Sequence, residues 1–412
     1  GVYARLMELF READRRYNSG IFHFQEERDR SEMPDSLTAA LVVDDATLKD
    51  IIQDLYYPDS PYVFSEIPAE ILGQVYEQFL GKVIRLDEGH RAVVEDKPEV
   101  RKAGGVYYTP SYIVDYIVKN TVGRLLEGRT AAEAAEIRIL DPACGSGSFL
   151  IGAYQYLLDW HLDWYKANLA PLLDRSGGVA SEQALRLLPA APEQRADRRA
   201  RRIAARAAQA ALPITKDNIN REWRLTTSER KRILQSSIYG VDIDSQAVEV
   251  TKLSLLLKVL EGESRESISS LLRYFKERAL PDLGENIRCG NSLIGYDYYD
   301  DHQNISEEEV KRINAFDWKS GFPKVFQRGG FDAVIGNPPY VRQEGLGEMK
   351  EYFSRHYQVY HGVADLYAYF IERGVSILRP AGLFSYIVAN KWMRANYGAP
   401  LRRWLKGQHI EG

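Results

Sequence analysis

Apolar residues recur at three- and four-residue steps over residues 5–17, 45–56 and 68–84, the spacing of one helical face. Residues 1–85 therefore read as helical, with Pro58, Ser60 and Pro61 closing the second helix and Pro68 suited to the first turn of the third. From about Ile137 the pattern changes to short β-branched runs at 137–140, 238–243, 287–289, 331–335 and 383–388, with helical stretches between them. Strands alternating with helices predict an α/β fold, a doubly wound parallel sheet whose ligand chemistry sits at the carboxyl ends of its strands. The organisation that follows is a helical N-terminal domain over 1–100 and an α/β domain over 101–412, interrupted by a helical insertion at about 158–235. Within that insertion, residues 190–211 are rich in Ala and Arg. They read as a solvated helical face, with contact to a nucleic-acid backbone as the alternative.

Composition narrows the function classes. The 54 Lys and Arg against 58 Asp and Glu leave a net charge of −4, which excludes a uniformly basic coat but not a local basic face. The two cysteines, Cys144 and Cys289, have no second Cys or His at metal-ligand spacing, so no structural zinc is expected and a reducing, cytoplasmic compartment is. No apolar stretch approaches the roughly 20 residues of a membrane span, and membrane functions are set aside. The first residue is Gly1, and the chain stops at Gly412 after a basic stretch, as a piece of a longer protein would.

Three stretches carry chemistry. The first, Asp141-Pro142-Ala143-Cys144-Gly145-Ser146-Gly147-Ser148-Phe149, is a strand end running through a Gly/Ser turn into a helix. Its glycines admit a ligand close to the backbone, and the helix start offers unpaired N–H groups. A phosphate loop would need a lysine that Ser146-Gly147-Ser148 lacks, and Leu150 replaces the third glycine of a dinucleotide fingerprint. Asp141 would repel a pyrophosphate and attract a cation, so the ammonium and sulfonium of S-adenosylmethionine fit better. The second stretch, Tyr239-Gly240-Val241-Asp242-Ile243-Asp244, puts an acid at the next strand tip, where a carboxylate accepts both hydroxyls of a ribose. Asp242, with Ile243 beside it, is the binding candidate; Asp244 reads as the cap of the following helix.

The third stretch is Gly336-Asn337-Pro338-Pro339-Tyr340, after a buried strand. Two prolines remove two backbone donors, so the loop presents carbonyls. The Asn337 side-chain oxygen and the Pro338 carbonyl could accept both hydrogens of one exocyclic amine. Such an amine is a poor nucleophile because its lone pair is delocalised. Holding both protons draws electron density onto the nitrogen and aims it at an electrophilic methyl group. Tyr340 supplies a face for a base to stack on.

This set resembles the gamma-class DNA adenine-N6 methyltransferases, and specifically the methylase portion of type IIG restriction-modification enzymes. The resemblance runs from about Ser65 to the end: Gly105-Val106-Tyr107-Tyr108-Thr109-Pro110 ahead of the first strand, the Asp141 to Phe149 turn, Asp242, Cys289-Gly290-Asn291-Ser292-Leu293 after the third strand, and Asn337 to Tyr340, in gamma-class order. It implies a Rossmann-like class I methyltransferase fold. It implies cofactor contacts from Tyr108, Thr109 and Pro110, which close over the methionine part, and from Asn291, Ser292 and Leu293. Asn291 stands where the family usually has an acid, so its amide oxygen would meet the cofactor adenine. It implies double-stranded DNA as partner, with the target adenine rotated out of the helix so that its N6 can be reached. The family's further strand pair and target-recognition domain would follow Gly412, and a nuclease would precede Gly1, with the N-terminal helices as connector. Two rival readings are a methyltransferase acting on the amide nitrogen of protein glutamine and a non-catalytic cofactor-binding scaffold of a restriction complex. Pro58-Asp59 with Glu95-Asp96-Lys97 matches a loose metal-nuclease pattern, but such short patterns recur by chance.

Overall fold

The computed structural model describes residues 1–17, 35–56, 58–60, 82–87, 91–96, 109–176, 181–188, 212–217, 221–263, 281–300, 305–341 and 349–409, with a few single positions between. Among the described residues nine strands run in chain order: β1 (Lys82–Leu86), β2 (Ala92–Asp96), β3 (Ile139–Asp141), β4 (Ile214–Lys216), β5 (Trp223–Leu225), β6 (Ile238–Asp242), β7 (Ile287–Cys289), β8 (Phe331–Gly336) and β9 (Leu378–Tyr386). Five of them form one parallel sheet in the order β7-β6-β3-β8-β9. Counted within the sheet that is 3-2-1-4-5, the order of the doubly wound nucleotide-binding fold, and it reverses direction beside β3.

The sheet is covered on both faces, which is why its strands read as apolar runs rather than as alternating ones. Side-chain direction still alternates. Ile139, Ala333 and Ile335 pack with Val114, Phe149, Leu150, Tyr154 and Leu255 on one face. Leu140 and Val334 pack with Phe316, Trp318, Phe322 and Ile377 on the other, joined by Phe331, which leaves the alternation at the register shift before Ala333. A third cluster, around Tyr298, Phe353, Tyr357 and Tyr369, includes Leu293 and packs against Phe384 and Tyr386 of β9. The helix Ser148–Asn168 opens at the glycine turn after β3 and lies against the helix Ser111–Val118 so closely that a Cβ on Gly152 would stand 2.5 Å from Val114 Cγ1.

Three sequence expectations need correction. The N-terminal segment has helices at Val2–Tyr17, Ser36–Ala40 and Asp45–Asp54, but residues 82–86, placed in part in the third helix, form β1 and pair antiparallel with β2. Val83-Ile84-Arg85-Leu86 and Ala92-Val93-Val94 are strand-prone runs on either side of a polar turn, and ladder pairing overrides the helical spacing. The insertion does not start at 158, because the helix after β3 continues through it to Asn168. Nor is it wholly helical, because β4 and β5 form an antiparallel hairpin inside it. Its Ala/Arg-rich stretch lies outside the described residues. Finally, β9 starts at Leu378, not at 383. Arg379-Pro380-Ala381-Gly382 reads as a turn, yet the chain passes through it by a register shift opposite Phe331–Ala333, with Ala381 at φ +62°.

Candidate active site

At the tip of β3 the chain turns from Asp141 through Pro142, Ala143, Cys144, Gly145, Ser146 and Gly147 into its helix. Gly145 (φ +52°) and Gly147 (φ +88°) take left-handed conformations that a side chain would strain. Thr251 closes the turn from below. Its hydroxyl donates to the Gly145 carbonyl at 2.7 Å, and a Cβ on Gly147 would stand 2.9 Å from its methyl. Across the turn, Asp242 accepts the Gly145 N–H at 2.8 Å and the Asp244 N–H at 2.9 Å, so it braces the loop that it faces. Asp244 accepts the Gln246 N–H at 2.9 Å and caps the helix Ser245–Leu260, as the sequence suggested.

Asp141 is 1% exposed and accepts the Ala143 N–H at 3.0 Å. Burial pushes its carboxyl up to about 8, against the pull of that hydrogen bond and with help from the charge of Asp242. Burial raises Asp242 as well. The partners of both carboxylates among the described residues are backbone N–H groups, not cations. Two such acids in one cavity favour a cationic ligand, which would return them to the ionised form. Between them, the Cys144 thiol is buried and pushed up by burial and by both carboxylates, which makes it a packing group rather than a nucleophile.

β8 delivers the third stretch. Gly336, at φ +153°, ends it, and a Cβ there would stand 2.6 Å from Asp141 Oδ1, so the strand can close on the carboxylate because the residue is glycine. Asn337 follows. Its Nδ2 donates to Thr109 Oγ1 at 3.1 Å, and its Oδ1 is buried with no hydrogen-bond partner among the described residues. Tyr340 is 38% exposed; its hydroxyl donates to the Ile387 carbonyl at 3.1 Å and its ring lies 5.7 Å from that of Tyr367.

From β7, Asn291 is spent largely on structure. Its Nδ2 donates to the Ile313 carbonyl at 3.1 Å and its Oδ1 accepts the Leu293 N–H at 3.0 Å, which leaves one oxygen lone pair for a ligand. Ser292 donates to the Pro142 carbonyl at 2.5 Å and so ties the β7 end to the β3 turn. A cavity of about 570 Å³ opens over these strand ends, a size usual for small-molecule sites. It is lined by Thr109, by Asp141 to Gly145 and Phe149, by Asp242 and Ile243, by Asn291 to Leu293, and by Asn337 and Pro339. Pro110, Gly147, Pro338 and Tyr340 do not line it, and Tyr108 lies outside the described residues. The sequence reading missed Arg312 and Ile313, and an apolar wall of Met349, Phe353, Leu366 and Phe370. The four-residue steps 349/353 and 366/370 are helical stripes that look like ordinary core, and nothing in their chemistry marks them as lining.

Comparison with known proteins agrees with the strand-end motifs. A model of the N-6 DNA methylase family matches residues 68–164, and a model described as Eco57I restriction-modification methylase matches residues 236–412. The type II restriction enzyme and methyltransferase RM.Eco57I of Escherichia coli is 30% identical over 407 residues, which are 98% of this chain and 34% of that protein. The adenine-specific methyltransferase BrxX of Escherichia coli O9:H4 is 24% identical over 433 residues, 93% of this chain and 34% of its own length. The chain thus spans about a third of the length of each of these relatives. Among solved structures, the type IIL restriction-modification enzyme MmeI in complex with DNA is 13% identical with a TM-score of 0.45, over 88% of this chain and 38% of that one. With its two matched segments holding the Gly/Ser turn, Asp242 and the Asn-Pro-Pro-Tyr loop, the chain belongs to the N6-adenine DNA methylases of restriction-modification systems.

Proposed function

We propose that this chain transfers a methyl group from S-adenosylmethionine to N6 of an adenine rotated out of double-stranded DNA, as the modification part of a restriction-modification system. The observation that carries the reading is the buried Oδ1 of Asn337, unpartnered among the described residues, in the same cavity as the buried carboxylate of Asp141 and the partly buried one of Asp242, neither of which has a cationic partner among those residues. An orphaned acceptor asks for a donor and the acid pair asks for a cation; an amine and a sulfonium cofactor supply one each.

When bound, S-adenosylmethionine supplies an electrophilic methyl group on a sulfonium. Asp141 would hold the cationic end and Asp242 the ribose hydroxyls, in addition to its bracing bonds. Asn291 would meet the cofactor adenine through its remaining oxygen lone pair, with Ile243 and Phe149 as apolar walls. Asn337 Oδ1 and the Pro338 carbonyl would each accept one hydrogen of the target amine, and Pro339, which has no N–H, keeps a competing donor away. Tyr340 would present a ring face to the base, its hydroxyl already anchored on Ile387. Tyr108, Thr109 and Pro110 would close the methionine end. A nuclease and a target-recognition domain belong to the same proposal as attached partners. So does a cytoplasmic address, where such an enzyme meets DNA; no helix among the described residues is long and apolar enough to cross a membrane.

Calorimetry with S-adenosylmethionine tests the first half: saturable one-to-one binding, weakened in Asp242→Ala, is expected, and a folded protein that does not bind overturns the reading. Methylation of DNA by the full-length protein tests the second half. Asn337→Ala is expected to abolish transfer while leaving cofactor affinity near normal. A large loss of affinity would show that Asn337 belongs to the cofactor site instead.

A further inference from the structure

The amide of Asn337 can turn by 180° and exchange its oxygen and nitrogen with little change of shape, yet one of its two orientations alone presents an acceptor to an amine. The group that meets this amide is Thr109, 228 residues earlier in the chain, whose Oγ1 lies 3.1 Å from Asn337 Nδ2. Thr109 is 7% exposed and lines the cavity that holds Asp141 and Asp242. It is also rigidly placed. Pro110 restricts it to extended backbone and starts the helix Ser111–Val118, which is anchored in the core by Val114, Ile117 and Val118.

We propose that Thr109 is a positioning residue for Asn337, and that the ligand of the cavity sets it. A hydroxyl has one proton to give. While that proton is free, Thr109 can pair with either end of the amide. Once an acceptor on the cofactor, such as its carboxylate, takes the proton, Thr109 has lone pairs alone to offer. Asn337 must then donate Nδ2 to it and hold Oδ1 toward the target amine. Cofactor binding thereby presets the catalytic amide and favours capture of the flipped base. This inference rests on the proposed function and adds to it a coupling between the two substrates.

The test uses the full-length protein with Thr109→Val, which keeps the shape and loses the hydroxyl, and Thr109→Ser, which restores it. Methyl transfer by the wild type comes first, and its absence would overturn the function and this inference together. Given transfer, T109V is expected to lower kcat about tenfold at saturating cofactor and DNA, the size of one net hydrogen bond, and T109S to return most of it. In an N337D background both side-chain oxygens accept, orientation no longer matters, and T109V is expected to add no further loss. The inference falls, with the function intact, if T109V weakens cofactor binding by calorimetry but leaves kcat unchanged. It falls equally if T109S fails to rescue, or if T109V costs as much in N337D as in the wild type.

Discussion

The carboxyl of Asp141 shows how burial, not residue type, decides what a group in this cavity does. Its value of about 8 in the fold stands above the ordinary 3.8, so the ligand-free fold prefers the protonated form. The unfolded chain loses that proton first as pH rises, so the stabilising contribution is fully present below about 4 and is lost as pH climbs through about 8. Melting of the ligand-free protein across that range should therefore show a fall in stability that Asp141→Asn lacks. A cationic ligand reverses the preference. S-adenosylmethionine binding at pH 7 should release up to about one proton, read as a buffer-dependent heat in calorimetry, and D141N should remove it. Equal heats in all buffers would mean that Asp141 stays neutral in the complex. At this scale the sequence was informative about kind and silent about state. Asp242, Asn337 and the glycine turn stand out as candidates because the proposed chemistry needs those residue types next to a strand end. The protonation of Asp141, the committed amide of Asn291 and the Thr109–Asn337 pair depend on what the fold packs beside them, Asp242 beside Asp141, Ile313 beside Asn291 and Asn337, 228 residues on, beside Thr109, which no local pattern encodes.

Strand ends carry the site, and their geometry makes a prediction at Gly336. Replacing it with Ala sets a Cβ 2.6 Å from Asp141 Oδ1 and forces φ near +153°, so either the carboxylate or the end of β8 must move. Gly128, at φ +70°, has open space where a Cβ would go, which makes G128A a control for the backbone term alone, about 1–3 kcal/mol. Urea denaturation should show G336A losing more stability than G128A, and calorimetry should show loss of cofactor affinity in G336A alone. Matching losses in the two variants would mean that the β8 end yields without disturbing Asp141. The strands were readable because a sheet covered on both faces turns each into a compact apolar run, as in the fully buried β8. The errors fall where that rule lapses. β1 and β2 form a two-stranded hairpin of their own among the described residues, β4 and β5 pair outside the main sheet, and β9 carries near its start Pro380 and a left-handed Ala381 that mimic a turn.

For the molecule as a whole, a net charge of −4 means that any grip on DNA has to be local. The sheet puts a candidate beside the Asn-Pro-Pro-Tyr loop. Ile387, just past β9, donates to the Gly336 carbonyl and accepts from Tyr340, and the chain then carries Lys391, Arg394, Arg402, Arg403 and Lys406 with no acid between 387 and 406. These five are not equivalent. Arg402 is spent on the fold, its Nη1 donating to the Trp392 carbonyl at 2.5 Å and the Ala395 carbonyl at 2.9 Å, whereas Lys391, Arg394, Arg403 and Lys406 are exposed. On the proposed function, the exposed four meet phosphates and displace counterions. Each contact contributes about 0.9 to the slope of log K against log salt. Replacing all four with Gln should lower that slope for the full-length protein by up to roughly 3.6 and leave S-adenosylmethionine affinity unchanged. Arg402→Gln should instead lower the melting temperature with little change of slope, because it removes a staple rather than a counter-charge. An unchanged slope in the fourfold variant would move the phosphate contacts off this face and leave the segment after β9 as a purely structural brace for Tyr340.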